Sequence, residues 1–159
     1  MTTYKLFRIK QGRLYPLYVE ADREMKVGEW LKSGVGEAYD ATHVKAKGCG
    51  GHLRRRSGFH STIVPFTDWI GKKQPDGTLI QRKDTVWCEC EIKGNQIEAK
   101  VKNGYDIVPD ESYYFFRTNS KQKEPWIISD KIKIKRVLTD AEVSEICAAK
   151  GIVAQRKEI

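Results

Sequence analysis

The chain has 159 residues, 40% of them hydrophobic and 10% aromatic, which excludes disorder as its main state. One domain of this length buries roughly two-thirds of its unfolded surface and folds without staples. Its 29 basic residues outnumber the 21 acidic ones, and the net charge of +8 favours acidic partners: nucleic acid, an acidic protein or an anionic surface.

Aromatic and branched residues at 4–10 and 13–19 flank Gln11-Gly12 and predict a β-hairpin. Pro16 cannot donate to a ladder, so the second strand lies at an edge or is bulged there. Leu6 and Phe7 point to opposite faces, so both faces of the first strand are expected to be covered. Val27-Gly28-Glu29-Trp30-Leu31-Lys32 reads as a short helical turn ended by Ser33-Gly34. Residues 34–52 are Gly-rich and weakly patterned, a loop with one brief strand near 42–46. A strand then covers the second half of 54–64. Phe66, Trp69 and Ile70 stand at helical spacing and predict a short internal helix over 65–70. Pro75-Asp76-Gly77 marks a turn.

Residues 85–92 form the clearest strand, with Val86, Cys88, Cys90 and Ile92 on one face and Thr85, Trp87, Glu89 and Glu91 on the other. Gly94-Asn95 turns the chain into a strand over 96–101. Tyr113-Tyr114-Phe115-Phe116-Arg117 predicts a central strand, because four consecutive aromatics are costly to solvate. Residues 126–128 and 131–138 complete the sheet. Thr139-Asp140-Ala141-Glu142 is a capping box opening a C-terminal helix. Val143, Ile146 and Cys147 are its apolar stripe, and Lys150-Gly151 ends it. The expected fold is α+β: a mainly antiparallel twisted sheet with one short internal helix and a capped C-terminal helix. A single domain spans 1–153, and the polar residues 154–159 are expected to fray.

No run approaches the roughly 20 apolar residues of a membrane span. The first residues carry no apolar core of a secretory signal, so a cytoplasmic location is expected, with Cys49, Cys88, Cys90 and Cys147 reduced. Cys88 and Cys90 are too close in sequence for an ordinary disulfide.

Two basic features suit an acidic partner. Arg54, Arg55 and Arg56 cluster on a loop just after Lys45 and Lys47. Lys131, Lys133 and Lys135 recur at period two, so one strand face aims all three. A solvated outer face, or an edge strand protected by lysines, gives the same pattern. Cys49, His52, Cys88 and Cys90 are a weak zinc set, because the pairs lack finger spacing and Cys88-x-Cys90 reads as a buried face. No metal is expected. His60, between Phe59 and Ser61, is a candidate binding residue or general base, and equally a histidine held by hydrogen bonds.

Glu89-x-Glu91 on a strand resembles the paired acidic motif of arginine-type ADP-ribosyltransferases. That resemblance implies that Glu91 stabilises an oxocarbenium-like sugar, that Glu89 orients the acceptor, and that Arg8 and Ser61-Thr62 grip NAD. Under any other reading no cofactor is expected. A second resemblance spans nearly the whole chain. Its most specific strings are Arg56-Ser57-Gly58-Phe59-His60 and Asp84-Thr85-Val86-Trp87-Cys88-Glu89-Cys90-Glu91. Tyr4-Lys5-Leu6-Phe7-Arg8-Ile9-Lys10, Leu14-Tyr15-Pro16-Leu17, Val27-Gly28-Glu29-Trp30-Leu31 and Ile134-Lys135-Arg136-Val137-Leu138-Thr139-Asp140-Ala141-Glu142-Val143 add to them. Together they resemble an uncharacterised family of accessory proteins of phages and integrative elements of gut bacteria, which also occurs as a module of large polyvalent proteins. Ser57 and Phe59 stand where Pro and Trp are usual in it. This resemblance implies an accessory role, counter-defence included, acting on nucleic acid or on a host nucleic-acid-processing protein. The leading expectation is therefore a non-enzymatic binding protein. The transferase and a virion or scaffold component are the alternatives.

Overall fold

The computed structural model describes residues 1–34, 57–98, 108–118 and 120–159. Gln11 and Gly12 both take positive φ, 53° and 74°, the type I′ pattern whose twist suits a two-residue hairpin. They join β1 (Thr2–Lys10) to β2 (Arg13–Tyr15), with Lys10 opposite Arg13. β2 stops before Pro16, shorter than the pattern suggests, because proline brings no ladder donor.

The remaining elements are β3 (Trp30–Lys32), β4 (Phe59–Ser61), β5 (Lys72–Lys73), β6 (Leu79–Ile80), β7 (Thr85–Glu91), β8 (Asn95–Gln96), β9 (Ser112–Phe116), β10 (Trp126–Ser129), β11 (Lys131–Val137) and α1 (Asp140–Ala149). They build a five-stranded sheet, β2-β1-β7-β11-β3, and a four-stranded sheet, β4-β10-β9-β8; β5 and β6 form a separate ribbon. Strand pairs are antiparallel except β8 on β9. β2 covers only the second half of one β1 edge. Thr62, just past β4, takes the first half through paired 2.8 Å backbone hydrogen bonds with Tyr4. The two sheets thereby form one curled surface. The expected α+β class, antiparallel and with a C-terminal helix, is what the chain adopts.

Period-two patterning explains the layers. Phe7, Cys88, Cys90, Ile132 and Ile134 leave the five-stranded sheet inward and meet Phe59, Ile127, Tyr113 and Phe115 from the other sheet. Leu6 and Trp87 leave it outward and meet Leu138, Val143 and Cys147 at the helix. The aromatic strand splits likewise: Tyr114 and Phe116 pack in a third cluster with Val108, Trp126 and Ile128. β9 lies inside its sheet, between β10 and β8.

The helix opens as its sequence implies. The Glu142 N–H donates to Thr139 Oγ1 (3.1 Å), and Glu142 Oε1 accepts from the Thr139 N–H (3.0 Å). The Thr139 N–H and the Arg136 guanidinium hold the Glu142 carboxyl below the usual range. Thr139→Ala is expected to lower stability by about 1 kcal/mol without altering the urea m-value; an unchanged urea midpoint would show that the cap contributes nothing.

Three local expectations are overturned. Residues 65–70 are bends and irregular chain, so the internal helix is not formed. Thr67 Oγ1 accepts from the Trp69 N–H (3.1 Å), a local bond that competes with helix. Phe66 and Ile70 still reach the core while Trp69 stays exposed. Residues 27–32 are a turn followed by β3, because pairing with β11 buries Leu31 between exposed Trp30 and Lys32. The tail at 154–159 is tied down, not frayed. Gln81 and residues 156 and 158 exchange backbone hydrogen bonds of 2.7–2.8 Å, and Gln155 Nε2 donates to the carbonyls of Ile70 (3.2 Å) and Leu79 (2.9 Å). Among the described residues no helix is long and apolar enough to cross a membrane.

Candidate functional site

Arg54, Arg55, Arg56, Cys49 and His52, with the brief strand expected near 42–46, lie outside the described residues. The other two zinc candidates are core residues. Cys88 and Cys90 are fully buried on the inward face of β7, and burial pushes the Cys88 thiol up to about 12 and the Cys90 thiol higher. Such thiols are not poised to ionise.

The four residues of the transferase reading are not brought together. Arg8 lies at the Thr85 end of the β1–β7 ladder, whereas Glu91 pairs with Thr2 at the other. The Arg8 guanidinium bonds the carbonyls of Pro16 (3.3 Å) and Ala21 and sits 5.7 Å from the Tyr15 ring centre, so it anchors the chain after β2. Ser61 is buried in the other sheet and donates to the Ile127 carbonyl at 3.4 Å. Glu89 and Glu91 share the outer face beyond the helix, where Glu89 lies 3.7 Å from Arg136 and 3.9 Å from Lys135. His60 stands edge-on to Trp126, 5.5 Å between ring centres.

The lysine row lies on this outer face and is laced with carboxylates. Lys131 bonds Glu111 at 2.6 Å and lies 3.5 Å from Asp110. Lys135 approaches Glu89, and Lys133 stands across the ladder from Glu91 on one side and Trp30 on the other. Lys131 holds the Glu111 carboxyl below its usual range; hydrogen bonding to Lys32 does the same for Asp110. Buried Asp130 accepts from Lys32 (3.2 Å) and from the Glu111 N–H (3.3 Å), clamping β3 to the turn before β9. The row is therefore the partly neutralised outer face of a sheet, not a bare track of cations.

What the sequence reading missed lies beside it. Trp30 is 38% exposed, although it is a large aromatic on a strand. The Lys93 ammonium sits 4.4 Å and the Lys133 ammonium 5.6 Å from the centre of its ring, within cation–π range. Trp30, Glu91, Lys93, Gly94 and Tyr113 line a cavity of about 320 Å³. Alternation of Trp30, Leu31 and Lys32 would have placed the indole outward had the segment been read as a strand. Nothing local links it to Lys93, which arrives through β7, β11 and β3. A second cavity of about 570 Å³ lies between the β5–β6 ribbon and the tail, lined by Phe66, Asp68, Asp76, Lys123 and Arg156. Its Asp76 is already held by the Thr78 N–H (3.0 Å) and hydroxyl (2.7 Å).

Besides the Cys88 and Cys90 thiols, the Lys5 amine is directed toward the apolar core. Lys5 shares the inward face of β1 with Phe7, opposite Cys88, and its Nζ donates to the His60 carbonyl at 2.9 Å. Burial lowers its amine to about 8. No family model, curated protein or solved structure matches the chain.

Proposed function

We propose that the protein is a non-enzymatic accessory protein that binds nucleic acid through the outer face around Trp30. The observation that carries this reading is an exposed indole with two ammonium groups at its ring, in a chain of net charge +8. Phosphates are attracted by such cations, and bases stack on such rings. The Arg54 to Arg56 triplet supplies further phosphate-binding charge in sequence. The resemblance to mobile-element accessory proteins supports the same reading and extends it to counter-defence. Glu89 and Glu91, placed near Arg136, Lys135 and Lys133, serve here as the acidic partners of that face.

Fluorescence anisotropy of labelled DNA and RNA, titrated with the full chain at low and moderate salt, tests this. About three phosphate contacts lower affinity roughly 20- to 40-fold between about 50 and 200 mM salt. Undetectable binding of both nucleic acids at the lower salt would rule the reading out and leave an acidic host protein as the partner. Binding that ignores salt would rule out the cationic face.

A further inference from the structure

We infer that the cavity beside Trp30 takes one unpaired base of a single-stranded nucleic acid, stacked on the indole with its flanking phosphates held by Lys93 and Lys133. This rests on the reading of the outer face as a nucleic-acid surface, and it names the strand state and base class that face selects.

The exposed ring supplies a π-face, and a base stacked on an aromatic side chain is the recurrent mode of single-strand binding. A volume of about 320 Å³ is at the small end of ligand sites, room for a single base with its sugar. Bases within a duplex are stacked on their neighbours and offer only edges, so a concave aromatic slot favours an unpaired one. Lys93 lines that slot, and the Lys93 and Lys133 ammonium groups both lie at the Trp30 ring. Moving from the indole to phosphates exchanges a weak contact at an exposed site for charge-assisted hydrogen bonds.

Glu91 sharpens the selection. Glu91 lines the same cavity and stands across the ladder from Lys133, so its carboxylate is the acidic group the slot offers. A carboxylate accepts from an exocyclic amine, as on cytosine or adenine, and opposes the O4 acceptor of thymine or uracil. The slot therefore prefers amine-bearing bases.

Anisotropy titrations of the full chain with short labelled oligo(dC), oligo(dA), oligo(dT), the matching RNAs and a duplex separate these claims. Oligo(dC) and oligo(dA) are expected to bind more tightly than both oligo(dT) and the duplex. Trp30→Ala is expected to weaken oligo(dC) binding roughly 5- to 100-fold, the range of one lost stack, while leaving duplex binding unchanged. Trp30→Phe should retain most of the affinity, and Lys93→Gln should lower it several-fold with the ring still in place. Glu91→Gln should abolish the preference for cytosine over thymine. Equal affinity for single strands and duplex, with both lowered by Lys93→Gln, would overturn the base slot and leave the outer face as the nucleic-acid surface; binding unaffected by both Trp30→Ala and Lys93→Gln would overturn that face as well. Failure of every nucleic acid to bind would overturn both.

Discussion

Lys5→Met is expected to be more stable than the parent protein at pH 7, by about 2 kcal/mol. The Lys5 amine lies among Phe7, Cys88 and Cys90 on the inward face of β1, and burial lowers it from 10.5 to about 8. A shift of that size corresponds to about 3 kcal/mol against the charged form. The side chain is half-buried rather than sealed, and its hydrogen bond to the His60 carbonyl offsets part of the cost, which leaves the smaller figure. Methionine keeps the length and brings no charge. The pH dependence follows from linkage. Between about 8 and 10.5 the unfolded chain holds a proton on Lys5 that the folded one has released, so this group makes stability rise with pH across that window. Below the window both states are protonated and the penalty is constant; above it both are neutral and the penalty is gone. Urea denaturation of both proteins at several pH values from 7 to 10 reads the difference directly. The advantage of Lys5→Met should shrink as pH rises, and a constant difference would mean that the amine is solvated in the fold.

Gly94→Ala is expected to cost about 3 kcal/mol or more. Gly94 has φ of +104°, a region that L side chains rarely adopt. A Cβ there would also fall on the backbone carbonyl of Glu111, which already accepts the Asn95 N–H at 2.8 Å where β8 joins β9. Strained φ alone costs of order 1–3 kcal/mol, and a backbone carbonyl cannot rotate away as a side chain can. Gly12 is the control, with φ of +74° and open space where a Cβ would stand, so Gly12→Ala should cost only about 1 kcal/mol. Similar urea midpoints for the two variants would contradict the close approach. Gly94 also lines the cavity next to Lys93, so the variant is expected to weaken whatever binds at Trp30.

The elements legible in the sequence are those whose cause is local. Gln11-Gly12 made the hairpin readable because only a few residue pairs accept positive φ at both turn positions. The alternation through Thr85 to Glu91 placed Cys88 and Cys90 on one face and Trp87, Glu89 and Glu91 on the other, as they lie. The aromatics of β9 announced an interior strand, and Thr139 with Glu142 announced the helix start. In each case the deciding interaction lies within a few residues along the chain.

The misread segments were decided from far away. Residues 27–32 carried a helix-like spacing, but β11 offered Leu31 a ladder and a buried site. Residues 65–70 kept their apolar spacing without the helix, since helix α1 and the outward face of the five-stranded sheet take Phe66 and Ile70 wherever a turn can deliver them. The tail found its partners in Gln81, Ile70 and Leu79. The candidate site follows the same division. Its residue types were present in the sequence, an alternating lysine strand and a tryptophan, but their meaning depended on neighbours: carboxylates beside Lys131 and Lys135, and Lys93 delivered to Trp30. The α+β class, the turn, the strand faces and the helix cap are written in the order of residues, because dihedral preference and side-chain periodicity act locally. That Lys5 points into the core and that Trp30 stands exposed beside two lysines follows from the assembled sheets, because burial and ion pairing depend on residues far apart in the chain.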